Sequence, residues 1–172
     1  MVTDAEERSK MKVLTVRTGF VDIPGMVTLD IYATGCSLRC PTCCNPRLQD
    51  FDPPGSYILK ITHLTRKINE AEKLFDAVCW MGGEPLEQAE HLFDLIRSAR
   101  MEFPDLPHLV FSGRTREEIL DRHEMKEVFA IADAVKTGRW NGIPLGKPGC
   151  AQKIYCGNEE IPYDQLASHL RR

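Results

Sequence analysis

Between residues 61 and 137 the chain alternates helix-period segments with short apolar runs, and each run ends in a loop of small residues. Ile61, Leu64, Ile68, Ala71 and Phe75 recur at helical spacing, and Ala77-Val78-Cys79-Trp80-Met81 follows, stopped by Gly82-Gly83. Ala89, Leu92, Phe93, Ile96 and Ala99 mark a second helix, and Leu109-Val110-Phe111 a strand that ends at Ser112-Gly113. Thr115 caps a third helix running through Leu120, with Glu118 at the reciprocal capping position. Ala132-Asp133-Ala134-Val135 then reads as a strand before Thr137-Gly138. Upstream, segments 11–17 and 26–33 read as two more strands, with Pro24-Gly25 as the turn before the second. This order predicts an α/β fold with a mainly parallel sheet and right-handed crossovers, curved into a partial barrel or left open.

Sites in such a fold lie at the C-terminal ends of the strands. Four loops therefore converge on one face: residues 34–46 after the second strand, Gly82-Gly83-Glu84-Pro85, Ser112-Gly113-Arg114, and Thr137-Gly138-Arg139. From residue 145 onward the pattern weakens, and there is no internal repeat. Residues 1–10 read as a flexible polar arm and residues 11–172 as one domain.

The first of these loops carries the chemistry. Cys36, Cys40 and Cys43 place three thiols with three and two residues between them. A structural zinc or a plain four-cysteine cluster wants four protein ligands, so three leave one position for a small molecule. The competing reading is a zinc knuckle completed by Cys44, Cys150, Cys156 or a histidine, although zinc ligands usually come as two short clusters and no second one is present. Gly82-Gly83-Glu84-Pro85 has a plain reading as a tight strand-to-helix turn with proline at the first helical position. Read functionally, its bare backbone admits a carboxylate to exposed N–H groups, and Glu84 offers an acceptor for an ammonium group.

Charge and composition exclude other classes. A net charge of −3 and a pI near 6.0 give no basic field for nucleic acid. No apolar stretch approaches the roughly 20 residues of a membrane span, and the first ten residues lack a signal-peptide apolar region, so a cytoplasmic protein is expected. Seven cysteines, an odd number and tightly clustered, suit reduced thiols. Cys79 reads as a buried small hydrophobe, Cys150 and Cys156 as structural, and the five scattered histidines as non-ligating. Arg114, Arg116, Lys136 and Arg139 remain candidates for local anion contacts.

The cysteines at spacings of three and two, followed about one βα unit later by Gly-Gly-Glu-Pro, resemble the radical S-adenosylmethionine superfamily. Thr34-Gly35-Cys36 leading into Cys40-Pro41-Thr42-Cys43-Cys44-Asn45 resembles, more narrowly, the anaerobic ribonucleotide reductase activating proteins, which are glycyl-radical activases. The likeness covers most of residues 15–155 and extends to Pro24-Gly25, Phe111-Ser112-Gly113 and Gly149-Cys150-Ala151-Gln152-Lys153. Ile23, Met26, Arg114 and Thr137 depart from the family pattern, and Thr42 lacks the aromatic ring that many superfamily members place against adenine.

The resemblance implies a [4Fe–4S] cluster held by Cys36, Cys40 and Cys43 with S-adenosylmethionine at its open iron. Thr42, Asn45, Gly82, Gly83, Glu84, Pro85 and Ser112 would bind the cofactor. It further implies an electron from a flavodoxin-like donor, cofactor cleavage to methionine and a 5′-deoxyadenosyl radical, and a glycyl radical left on a large partner, anaerobic ribonucleotide reductase. No separate substrate domain is visible, which agrees with a protein substrate. Two alternatives stand beside it. One is another small radical S-adenosylmethionine enzyme acting on a small molecule or peptide. The other is a non-catalytic zinc-binding or electron-transfer iron–sulfur protein.

Overall fold

Every residue of β2 (Thr28–Ala33) is buried, which a strand achieves only when both faces of its sheet are covered. Leu29, Ile31 and Ala33 point to one side and Thr28, Asp30 and Tyr32 to the other, since side chains alternate along a strand. In the computed structural model, which describes residues 9–71 and 74–171, β2 sits inside an eight-stranded sheet of order β3-β1-β2-β4-β5-β6-β7-β8. The other strands are β1 (Lys10–Gly19), β3 (Tyr57–Lys60), β4 (Ala77–Gly82), β5 (His108–Phe111), β6 (Ala134–Thr137), β7 (Lys153–Cys156) and β8 (Glu159–Ile161).

The helices are α1 (Ile61–Glu70), α2 (Ala89–Glu102), α3 (Arg116–Leu120), α4 (His123–Ile131) and α5 (Leu166–Leu170). The first four cover one face of the sheet. Leu64, Ile68, Leu92, Leu95, Ile96, Ile119, Val128 and Phe129 pack there on Leu29, Ile31, Val78, Trp80, Val110 and Val135. On the opposite face Tyr32, Cys79, Met81, Leu109 and Ala134 meet Ile23 and Met26 from the β1–β2 connection, Leu48 from the cysteine loop and Leu166 from α5. Cys79 is fully buried in that cluster, as a small hydrophobe would be.

The sheet is open, with β3 and β8 at its edges, and it is not mainly parallel. β2–β4, β4–β5 and β5–β6 pair in parallel, whereas β1–β2, β1–β3, β6–β7 and β7–β8 pair antiparallel. The βα units thus build the parallel centre that their periodicity predicts, and hairpins flank it on both sides. Connection length is the reason: residues 20–27 are too few for a crossover and return β2 beside β1, and Gly157-Asn158 folds β7 straight into β8. Gly157 has a φ of +58°, which suits this two-residue turn.

Other boundaries shift slightly. β1 begins at Lys10, and Ser9 before it is buried, its hydroxyl 3.1 Å from that of Ser98, while the rest of the expected N-terminal arm lies outside the described residues. The strand expected over 132–135 runs Ala134–Thr137, because Ala132 caps α4 and Asp133 accepts hydrogen bonds at the turn. Thr115 and Glu118 form the expected capping box. His108, opening β5, is buried and accepts from the Trp80 indole at 3.1 Å. Among the described residues no helix is long and apolar enough to cross a membrane.

Candidate metal and cofactor centre

The parallel pairing of β2, β4, β5 and β6 brings the four loops together at the strands' C-terminal ends. The cysteine loop leaves β2 at Thr34. It is closed at its base by the Gly35 N–H, which points at the carbonyl oxygens of Leu48 (3.0 Å) and Asp50 (2.8 Å). Gly35 has a φ of +88°, and the ring of Phe51 occupies the space a side chain would need, so glycine is required there. Within the loop Cys36 is buried, while Cys40 and Cys43 are half-buried and joined by a turn in which the Cys43 N–H donates to the Cys40 carbonyl at 3.1 Å. Arg39 takes a left-handed φ of 50° just before Cys40. Thr42, Cys44 and Asn45 stand exposed on the loop.

Gly82-Gly83-Glu84-Pro85 lies directly against this loop. The Gly83 N–H donates to the Ala33 carbonyl at 2.9 Å and the Glu84 N–H to the Gly35 carbonyl at 2.8 Å, so these two N–H groups are not the exposed donors to a carboxylate expected from the sequence: the packing of the loops has used them. A β-carbon on Gly82 would stand 2.6 Å from the Ala33 oxygen, and one on Gly83 would stand 2.5 Å from the oxygens of both Gly35 and Leu48. Real β-carbons do not approach oxygen so closely, so the two glycines permit the loops to touch. Pro85 opens a single 3-10 turn, Pro85–Gln88, where its missing N–H would have had no acceptor within the turn in any case.

Glu84 is fully buried, and its carboxylate accepts from the Leu86 N–H (3.1 Å), the Ser112 hydroxyl (3.0 Å) and the Gly113 N–H (2.8 Å). Burial raises its pKa, against the pull of those donors. The side chain thus ties the loop after β4 to the loop after β5. With three donors in place and no exposed surface, the carboxylate faces the loops and not solvent, so in this arrangement it is a tie between them and offers no open acceptor to an ammonium group.

The tie continues around the rim. Ser112 accepts from the Arg114 N–H at 3.0 Å, and the Arg114 carbonyl accepts from the Gly138 N–H at 2.7 Å. Arg139 forms two 2.8 Å contacts with Glu118 and holds its carboxyl down at about 2. Arg114 reaches Glu87 (2.9 Å) and Ser37 (3.4 Å). Lys136 lies over the Phe111 ring at 4.9 Å and contacts Gln152 at 3.4 Å, and burial lowers its pKa. Arg116 packs on Tyr155 and donates to Asn158 at 3.0 Å. Periodicity gave no hint of Glu87 or Ser37, because a contact between loops far apart in sequence leaves no local pattern.

The donor set suits an iron–sulfur cluster: the free thiols of Cys36, Cys40 and Cys43 stand on one loop, which the two glycines let pack main chain to main chain against the loop after β4. Among the described residues no three Cys, His, Asp or Glu side chains are drawn tightly enough around one point to hold a metal ion. Coordination bonds are what gather such ligands, since binding energy is coupled to local folding. Cys150 and Cys156 are half-buried, on the segment before β7 and at the end of β7.

A family model described as a 4Fe–4S single cluster domain matches residues 21–142. No curated protein matches the sequence. Among solved structures, QueE from Escherichia coli is similar in fold, with a TM-score of 0.53 and 13% sequence identity over 67% of this chain. The match spans 58% of that chain, less than two thirds of its length. At this identity the likeness speaks for the mixed α/β fold alone.

Proposed function

Because the chain belongs to the 4Fe–4S single cluster domain family, we propose that it is a radical S-adenosylmethionine enzyme, and more narrowly an activase that sets a glycyl radical on a large partner, the anaerobic ribonucleotide reductase. The observation that carries this reading is the main-chain contact between the cysteine loop and Gly82 to Pro85, closed by the 2.8 Å bond from Glu84 to Gly35. It sets three thiols beside a stretch of bare backbone.

Cys36, Cys40 and Cys43 would hold the cluster, and three thiolates would leave it one position for the cofactor. When bound, the cluster supplies the electron that splits S-adenosylmethionine and so starts hydrogen-atom abstraction. The chain's own residues bind and orient. With the N–H groups of Gly83 and Glu84 already bonded to Ala33 and Gly35, the backbone of Gly82, Gly83 and Glu84, with Pro85 starting the next turn, would meet the amino-acid end through carbonyl oxygens that accept from its ammonium group, and Thr42, Asn45 and Ser112 would complete the cofactor contacts. A flavodoxin-like protein donates the electron, in a reducing cytoplasm where seven free cysteines stay thiols. Four helices cover one face of the sheet, and Ile23, Met26, Leu48 and Leu166 cover the other, so a partner's loop would approach at the rim where the four loops meet.

Anaerobic reconstitution tests the reading. The expected result is a brown protein that, once reduced, releases methionine and 5′-deoxyadenosine, and that gives a glycyl-radical doublet by electron paramagnetic resonance when the reductase is added. Cleavage without the doublet would remove the activase and keep the cofactor chemistry. A colourless zinc protein would remove both.

A further inference from the structure

Arg114 departs from the family pattern, and the structure gives its side chain a definite task. Its main chain is fixed on both sides, the N–H on the Ser112 hydroxyl and the carbonyl on the Gly138 N–H. From that base a side chain only 10% exposed extends to Glu87, 17% exposed, and pairs with it at 2.9 Å. The same Glu87 oxygen accepts the Ser37 N–H at 3.1 Å and the Ser37 hydroxyl, and Ser37 directly follows Cys36. Arg114 also reaches the Ser37 hydroxyl at 3.4 Å. Three segments far apart in sequence, the cysteine loop, the Pro85–Gln88 turn and the β5–α3 loop, are thus joined by one ion pair.

We infer that Arg114 is a positioning residue for the cysteine loop, acting through Glu87 and Ser37, and that the balanced pair sets the charge felt by the cluster at Cys36. The inference rests on the reading that Cys36, Cys40 and Cys43 hold a [4Fe–4S] cluster. Local charge and hydrogen bonding govern the reduction potential of such a cluster, and little water screens a pair as covered as this one. Reduction adds an electron, so a positive neighbour favours it and a negative one opposes it. Removing the guanidinium leaves the Glu87 carboxylate uncompensated beside the loop, which makes the cluster harder to reduce. Removing the carboxylate leaves the guanidinium and makes it easier.

The experiment is a redox titration of reconstituted protein without S-adenosylmethionine, followed by electron paramagnetic resonance. Arg114→Gln is expected to move the midpoint to more negative potential and Glu87→Gln to more positive potential, while Arg114→Lys, which keeps the charge, stays near the wild type. A role in packing alone would loosen the loop in both neutral variants and shift them in the same direction. Shifts of one sign, or no shift in a loaded wild type and its variants, overturn the inference and leave the cluster reading intact. A wild type that takes up no cluster overturns both. Should Arg114→Gln fail to retain a cluster, Glu87→Gln and Arg114→Lys still decide: a positive shift in the first with an unchanged second supports it, and any other result overturns it.

Discussion

Gly83 lies against the carbonyl oxygen of Gly35, so that a β-carbon on Gly83 would stand 2.5 Å from it. Gly83→Ala must therefore push the Gly82-to-Pro85 segment off the cysteine loop. Overpacking of this kind costs about 1–3 kcal/mol. Urea denaturation of the cluster-free protein should show a loss in that range, and reconstituted Gly83→Ala should retain less iron than the wild type. Wild-type stability with full iron content would refute the tight seam.

The thiols divide into two groups. Cys36→Ala, Cys40→Ala and Cys43→Ala should each abolish the brown chromophore after anaerobic reconstitution. Cys44→Ala and Cys156→Ala should keep it, because Cys44 stands exposed on the loop and Cys156 ends β7. Iron and sulfide analysis checks this. A colourless Cys44→Ala protein would mean that the ligand set has been misassigned.

Glu84→Gln replaces one acceptor oxygen with an amide that donates, among three groups that also donate. At least one buried donor then loses its partner, at a cost of about 1–3 kcal/mol. Denaturation curves should show the loss, and the loops after β4 and β5 should gain amide hydrogen exchange together. Exchange confined to one of them would contradict the tie through Glu84.

Asp30 is buried in β2, accepts from the Thr28 hydroxyl at 2.7 Å, and has its pKa raised to about 7, chiefly by burial. A folded pKa above the ordinary value of 3.8 means that the fold favours the protonated form. Its stabilising effect is whole below about pH 4 and is lost as the pH rises to 7, at up to about 1.4 kcal/mol per unit. His108, with a pKa lowered to about 3 by burial, works in the opposite sense: its contribution is present above pH 6.5 and is lost on acidification. Asp30→Asn should thus gain on the wild type from pH 4 to 7 and hold a constant lead above that. Parallel stability curves for the two proteins would rule this out.

Much of the fold was legible because its centre is made of local patterns. The apolar runs at β4 and β5 and the capping box at Thr115 each announce themselves within a few residues. The outer strands β3, β7 and β8 were not, since strands as short as Tyr57–Lys60, Lys153–Cys156 and Glu159–Ile161 bury few residues and show little alternation. At the candidate site the cysteines and glycines stand out by spacing. The pairing of Arg114 with Glu87 does not, because nothing near either residue in sequence marks the other as its partner.

The contact between the cysteine loop and Gly83-Glu84 is made of main chain on both sides, and this changes how it can be lost. A side-chain contact disappears when a substitution trims it, but here there is nothing to trim. Residues around the seam are free to drift in kind as long as none of them grows inward, so the junction is handed down as a shape more than as a set of letters. Its weakness is the addition of a single methyl group.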